Sequence, residues 1–273
     1  FEGDDPYSMQ AHIHDKSQPE NLLFIKKIRD LMDQYNDRFT VGELGDDHPM
    51  IRSAEYTTGD DRLHTTYNMQ LMSGKTKALS ANFIKEPIEA VKKLQTDYPG
   101  SYPSWAFSNH DVVRTVSRWL PSSDGFAHDP NFAKMAIALL GCLWGTLFVY
   151  QGEELGLPEA KLAFEDLQDP WGKHLWPEWQ GRDGCRTPMP WSDRKPEKSW
   201  LPMPDIHAIL NIEKQSQNLD STLNFTKEFL QKRKGYPALL YGDIQFIDTK
   251  NDHVLAFTRT HKKQTITCIF NLS

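Results

Sequence analysis

Between residues 18 and 150 one pattern recurs three times: a segment of helical apolar spacing, then a short apolar run that ends in polar residues. Leu22, Ile25, Ile28, Met32 and Tyr35 fall at steps of three or four, which predicts an amphipathic helix over residues 18–36. Ser17-Gln-Pro19-Glu20 before it reads as a capping box with proline near the first turn. Phe39 to Leu44 follows as a short strand, and His64 to Leu71 as a strand of poorer alternation. A second helix is expected over 78–97, with Ile88, Val91 and Leu94 on one face and Pro99-Gly100 closing it. Trp105 to Asn109 is the next strand. Asp129-Pro130 opens a third helix, Gly145 ends it, and Thr146 to Tyr150 is a strand of the buried type. Such alternation implies an α/β fold of parallel strands joined by helical crossovers.

A doubly wound sheet and a (β/α)8 TIM barrel both satisfy this alternation. The barrel is favoured because polar residues stand at successive strand ends: Glu43, His110-Asp111 and Gln151 to Glu153. No glycine-rich phosphate loop argues for a nucleotide-binding sheet. Residues 158–204 change character, holding five of the eight tryptophans among many prolines, and read as one long ordered loop. Helices resume near 205–218 and 221–234. Three strand-like runs then follow (Leu239 to Ile247, Val254 to Thr260 and Thr265 to Leu272), so a small antiparallel β domain is expected from about residue 236.

The formal charge of −6 offers no basic footprint for nucleic acid. Met135 to Tyr150, the most apolar stretch, is broken by Gly141 and Gly145 and fits a core better than a membrane span. Cys142, Cys185 and Cys268 are too few and scattered for a disulfide framework; Cys142 and Cys268 are expected to be buried thiols, and a reducing, cytoplasmic setting fits. The chain starts at Phe1 with no leader and stops at Ser273 in a strand-like run, which reads as an internal or processed fragment.

Two strand ends carry the chemistry. Glu43, between Gly42 and Leu44, is expected to be partly buried, with a raised pKa suited to a general acid. The other reading has it capping the next helix or pairing with Arg52. Asp111, beside His110, suits hydrogen bonds to a polyhydroxylated ligand and faces a cationic transition state; capping of the following helix is the alternative. Glu153 and Glu154 are expected to bind backbone amides or an arginine. Arg182 and Arg186 flank a tight turn and suit bidentate clamping, of ligand or of loop. The tryptophans fit stacking on sugar faces, but the core of a long loop is the favoured reading. His12-Ile-His14 has metal-ligand spacing yet follows no strand, so neither a metal nor any other cofactor is expected.

Together these segments resemble the α-amylase superfamily, glycoside hydrolase family thirteen, in its bacterial α-glucosidase and oligo-1,6-glucosidase branch. Thr40-Val-Gly-Glu43-Leu44 resembles the strand-five motif, and Phe107-Ser-Asn-His110-Asp111-Val112 the strand-seven motif. Phe148-Val-Tyr-Gln-Gly-Glu-Glu-Leu-Gly156 is similar to the strand-eight segment, and Gly181-Arg-Asp-Gly-Cys-Arg-Thr-Pro-Met-Pro-Trp191 to a loop signature of the branch. The resemblance implies that Glu43 is the general acid/base and Asp111 the transition-state stabiliser. His110, Phe107 and Arg182 would bind substrate, Arg182 at the nonreducing-end glucose. It further implies that residues 1–235 are the C-terminal half of the catalytic barrel, about strands five to eight, and 236–273 the beginning of the following β domain. The strand-four nucleophilic Asp matches nothing in the chain. The upstream half of the same polypeptide is then needed to complete the barrel, and the 273 residues alone are expected to be inactive.

The implied activity is retaining hydrolysis of terminal α-linked glucose from maltose or short oligosaccharides, with Glu43 and the nucleophile roughly 5 Å apart and transglycosylation as a side path. Sucrose isomerases, trehalose synthases and glucosyltransferases share these motifs. A non-catalytic barrel relative is disfavoured because Glu43 and the His110-Asp111 pair are kept, and a metal-dependent hydrolase would rest on His12 and His14 alone.

Overall fold

The computed structural model describes residues 9–72, 79–120 and 128–273. The chain divides into two compact units, one of residues 1–68 and 89–104, the other of 69–88 and 105–273. Two elements, helix α3 (Ala81–Leu94) and strand β3 (Ser104–Ala106), run from one unit into the other along the chain.

The first unit opens on α1 (Pro19–Met32). Ile25 is buried and Leu22, Ile28 and Met32 are half-buried, as the spacing requires, while Lys26–Asp30 and Arg29–Asp33 pair at i,i+4 on the outer face. The expected capping box does not form. Ser17 adopts a φ of +49°, which turns its hydroxyl away from the helix and onto the Asp46 carboxylate. Gln18 takes the N-cap position without a side-chain bond to the helix, and Pro19 starts the helix instead. Strand β1 (Val41–Gly42) pairs in parallel with β2 (Thr65–Thr66), both far shorter than the apolar runs that announce them. Between them lies α2 (Pro49–Thr57), a helix the sequence reading omits; its Arg52 reaches Asp46 and Glu55. Gly42 is held to glycine by crowding, since a Cβ there would come within 2.6 Å of Leu63.

In the second unit β3 pairs with β4 (Thr146–Phe148), which is half-buried rather than fully buried. Helix α4 (Thr115–Trp119) follows the strand-seven-like segment. Helix α5 (Pro130–Cys142) begins as expected: Asp129 caps it by accepting from the amides of Asn131 and Phe132. Residues 158–204 form the long loop, relieved by α6 (Pro170–His174) and short 3₁₀ turns. Helices α7 (Asp205–Ile209), α8 (Ile212–Gln217) and α9 (Thr222–Lys234) come next. Helix α9 lays Phe229 directly on Gly141 of α5, where any Cβ would collide with the ring.

The strand expected from Leu239 starts later. Pro237 pre-sets a helical turn, α10 (Pro237–Tyr241), and β5 spans Asp243–Ile247. With β6 (Val254–His261) and β7 (Gln264–Asn271) it makes an antiparallel sheet of order β5-β6-β7. Phe257 is fully buried there, stacked on Phe270 and edge-on to Phe246. Arg259, at 0% exposure, sends its guanidinium to the carbonyls of Cys142 (2.6 Å), Leu143 (2.5 Å) and Gly242 (2.8 Å). The first two belong to the end of α5, where a cation also complements the helix dipole. Replacing Arg259 with Met strands these buried acceptors and is expected to lower stability by about 3 kcal/mol in urea unfolding; an unchanged midpoint would show that water takes over its role. Cys142, Cys185 and Cys268 are all buried free thiols.

Candidate active site

The site is built in the second unit around the end of β3. Trp105 and Phe107 are buried, and the chain then turns so that His110 is exposed and Asp111 half-buried. The Asn109 side-chain oxygen accepts from the Asp111 amide at 2.8 Å and sets this turn. Asp111 does not cap α4, whose N-cap is Arg114. Its carboxylate Oδ1 receives Arg182 Nη1 at 3.2 Å and Arg186 Nη2 at 2.6 Å. Its Oδ2 faces His110 Nε2 at 3.6 Å. Arg186 also ties down the backbone, donating through Nε to the His110 carbonyl at 2.6 Å.

Arg182 is itself aimed from behind. Asp169, with a side chain of 0% exposure, holds it by a fork: Nε to Oδ2 at 2.9 Å and Nη2 to Oδ1 at 3.0 Å. Asp169 Oδ2 also accepts the Arg182 amide, and Oδ1 the Trp171 amide, so one carboxylate caps α6 and fixes the arginine. The Arg182 guanidinium bonded to it pulls the Asp169 carboxyl down to about 2. Behind it, the buried Asp183 accepts the amides of Gln168 and Asp169. Gly181, at a φ of +74° and pressed against Gly172, is the residue that lets the chain turn into Arg182. His110, Asp111 and Arg182 are thus brought together, with Arg186 as a fourth member.

Glu43 lies in the first unit, just after β1, and is exposed rather than partly buried. Strand β1 ends at Gly42, two residues before the end of the apolar run at Leu44, so Glu43 lies beyond it. Arg52 does not pair with it, being engaged by Asp46 and Glu55. Phe107 is among the residues expected to contact substrate. Its ring is 1% exposed and packs edge-on to Trp119, 4.8 Å away. Glu153 accepts from Thr115 Oγ1 and the Tyr150 amide, and Glu154 from the Gly152 amide, which is the structural role expected of both. Burial pushes the Glu153 carboxyl up to about 7.

The tryptophans reverse the favoured expectation. Trp171, Trp179, Trp191 and Trp200 are all more than a third exposed, and Trp176 alone of the five packs on the loop's apolar cluster. The loop core is aliphatic, made by Ala160, Leu162, Leu167 and Leu201, so the indoles are left at the surface. His12 pairs through Nδ1 with Asp15 at 2.8 Å. Asp169 is the functional side chain that sequence reasoning missed; in Gln168-Asp169-Pro170 it signals only a helix cap.

Residues 2–242 match the family described as Alpha amylase, catalytic domain. The chain belongs to that family. It is 40% identical to a probable alpha-glucosidase of Rhizobium meliloti over 98% of this chain and 48% of that protein. An oligo-1,6-glucosidase of Heyndrickxia coagulans is 27% identical over 93% of the chain and 51% of the relative. Among solved structures, the alpha-glucosyl transfer enzyme XgtA superposes with a TM-score of 0.89 at 42% identity, covering 100% of this chain and 50% of that one. The chain therefore spans about half the length of the relatives it matches. Among the described residues no helix is long and apolar enough to cross a membrane.

Proposed function

We propose that this chain carries the acid/base and the glucose-binding side of a retaining α-glucosidase. The observation that carries the reading is the Asp111 carboxylate, fixed by Arg182 and Arg186 with His110 beside it. Both guanidiniums bind Oδ1, so Oδ2 is the oxygen turned to an incoming sugar hydroxyl or to the positive charge that develops at the anomeric carbon. In this reading Glu43 protonates the glycosidic oxygen and then activates water; its exposure leaves it open to a glucoside. Phe107 acts from beneath, by packing, rather than by touching sugar.

The nucleophile is an Asp supplied by polypeptide outside residues 1–273, which also completes the barrel. Residues 1–235 form its second half and 236–273 begin a β domain, a division supported by the parallel β1–β2 pair and the antiparallel β5-β6-β7 sheet. Substrates are maltose and short α-glucosides. Transfer of glucose to an acceptor alcohol is the second reading, favoured by the 42% identity to the alpha-glucosyl transfer enzyme.

The test is turnover of p-nitrophenyl α-D-glucopyranoside and maltose by the complete enzyme, with the first-formed anomer read by NMR. Retention of the α configuration is expected. Asp111→Asn should lower kcat/KM by about 10²–10³-fold. Inversion, or unchanged turnover by Asp111→Asn, would sink the assignment. The ratio of transfer product to free glucose at high acceptor concentration separates the two readings.

A further inference from the structure

Beside the Arg182 turn, and lined by none of Asp111, Asp169, Arg182 or Arg186, lies a cavity of about 280 Å³. Ala160, Leu162, Leu167 and Pro177 supply apolar wall, and the half-exposed indole of Trp179 forms another side. Among the described residues, the charged ones lining it are Glu159 and Glu178, and no lysine, arginine or histidine does so. A mostly apolar hollow with a few polar groups is the form of a small-molecule site.

Glu159 gives the hollow its chemistry. Its Oε2 accepts the Arg114 amide at 2.8 Å, and its own amide donates to Ser117 Oγ at 2.8 Å. Oε1 lies against Gly184, which also lines the cavity, and among the described residues no donor reaches it. Against burial, the Arg114 amide and the nearby guanidiniums of Arg114 and Arg118 act to lower its pKa, while the Nη atoms of these arginines donate to backbone carbonyls: Gln151 and Cys185 for the first, Leu71, Met72, Val113 and Phe107 for the second. Desolvation prevails and pushes the Glu159 carboxyl up to about 7. Oε1 is open to the hollow, where it offers a charged acceptor to a cationic donor.

We propose that this cavity is a second ligand site, taking a small apolar molecule that bears an ammonium group. The ammonium donates to Glu159 Oε1 and lies in the field of the Trp179 ring, the apolar body rests on Leu162 and Leu167, and Glu178 adds negative potential. The site is independent of what is turned over at Asp111.

Benzylammonium, with benzyl alcohol as its uncharged counterpart, tests this by isothermal titration on the complete enzyme at pH 7.5. Benzylammonium binds, and benzyl alcohol binds at least about tenfold more weakly. Glu159→Gln, which keeps the acceptor for the Arg114 amide, lowers benzylammonium affinity about tenfold or more. Trp179→Ala, at a half-exposed position whose ring packs edge-on to Trp171, weakens it severalfold and serves if Glu159→Gln fails to fold. Equal affinity for the alcohol overturns the ammonium specificity. Absence of binding at millimolar concentration overturns the site. So does binding that survives both variants but is lost in Asp111→Ala, which would locate the amine at the sugar site.

Discussion

If Glu43 is the acid/base as proposed, Glu43→Gln is expected to lower kcat of the complete enzyme on maltose by about 10²–10⁴-fold, the range by which a positioned acid speeds departure of a poor leaving group. Gln keeps the shape of the side chain and loses only the proton it delivers. The loss should shrink on aryl glucosides, whose phenolate departs without help, until hydrolysis of the glucosyl-enzyme becomes limiting. In the proposed mechanism that second step uses Glu43 as a base, so an anion that needs no deprotonation bypasses the defect. Azide is therefore expected to accelerate the variant and to yield α-glucosyl azide, with configuration retained by two displacements. Wild-type turnover of maltose by Glu43→Gln, or no response to azide on an activated substrate, would remove Glu43 from the mechanism.

The second large effect is expected at Asp169, which touches no substrate. Asp169→Asn replaces one oxygen of the fork with an amide N–H₂ that faces a guanidinium, and a bidentate grip becomes a repulsive contact. Arg182 is then free to leave Asp111, so kcat/KM should fall by about 10²-fold or more. Stability should fall as well. The Asp169 carboxyl is depressed in the fold from 3.8 to about 2, which corresponds to about 2 kcal/mol of stability. The sign follows from the direction: this contribution is complete above the unfolded pKa, and is lost as pH falls through the folded one. Wild type should exceed Asp169→Asn in urea midpoint at pH 6, and the gap should close between about pH 4 and pH 2. A gap that stays constant across that window would assign the loss to packing instead of charge. Because the side chain is fully buried, Asp169→Glu should not rescue.

Local signals explain what was legible before the structure. Asp129-Pro130 announces a capped helix, and the alternation in residues 254–272 announces paired strands; both signals depend on neighbours a few residues away, and all three elements begin within a residue of expectation. The motif carrying His110-Asp111 and the turn carrying Arg182 were legible as separate segments, and the structure joins them through the Arg182–Asp111 bond. What failed depends on distant contacts. Ser17 was assigned to its nearest helix, but Asp46, 29 residues on, takes its hydroxyl. Apolar flanks suggested burial for Glu43, but burial depends on what covers the end of β1. A tryptophan cluster in a long loop favours a loop core over sugar stacking, yet smaller aliphatic residues fill that core. Asp169 could not be told from an ordinary cap, since its second role appears only when residue 182 folds back onto it.

Arg259 changes what it means to lengthen or trim this polypeptide. The strand that carries it follows α5 by more than a hundred residues, yet its guanidinium closes the last carbonyls of that helix. Helix α5 runs into β4, and β4 delivers Gln151 to Glu154 beside the Arg114 network. The helix is therefore finished only once β6 has been made and has returned to it. For a ribosome, late residues complete an early element; for an engineer, the sheet is no detachable appendix, and a deletion that removes β6 also unfastens the strand end that supports the site.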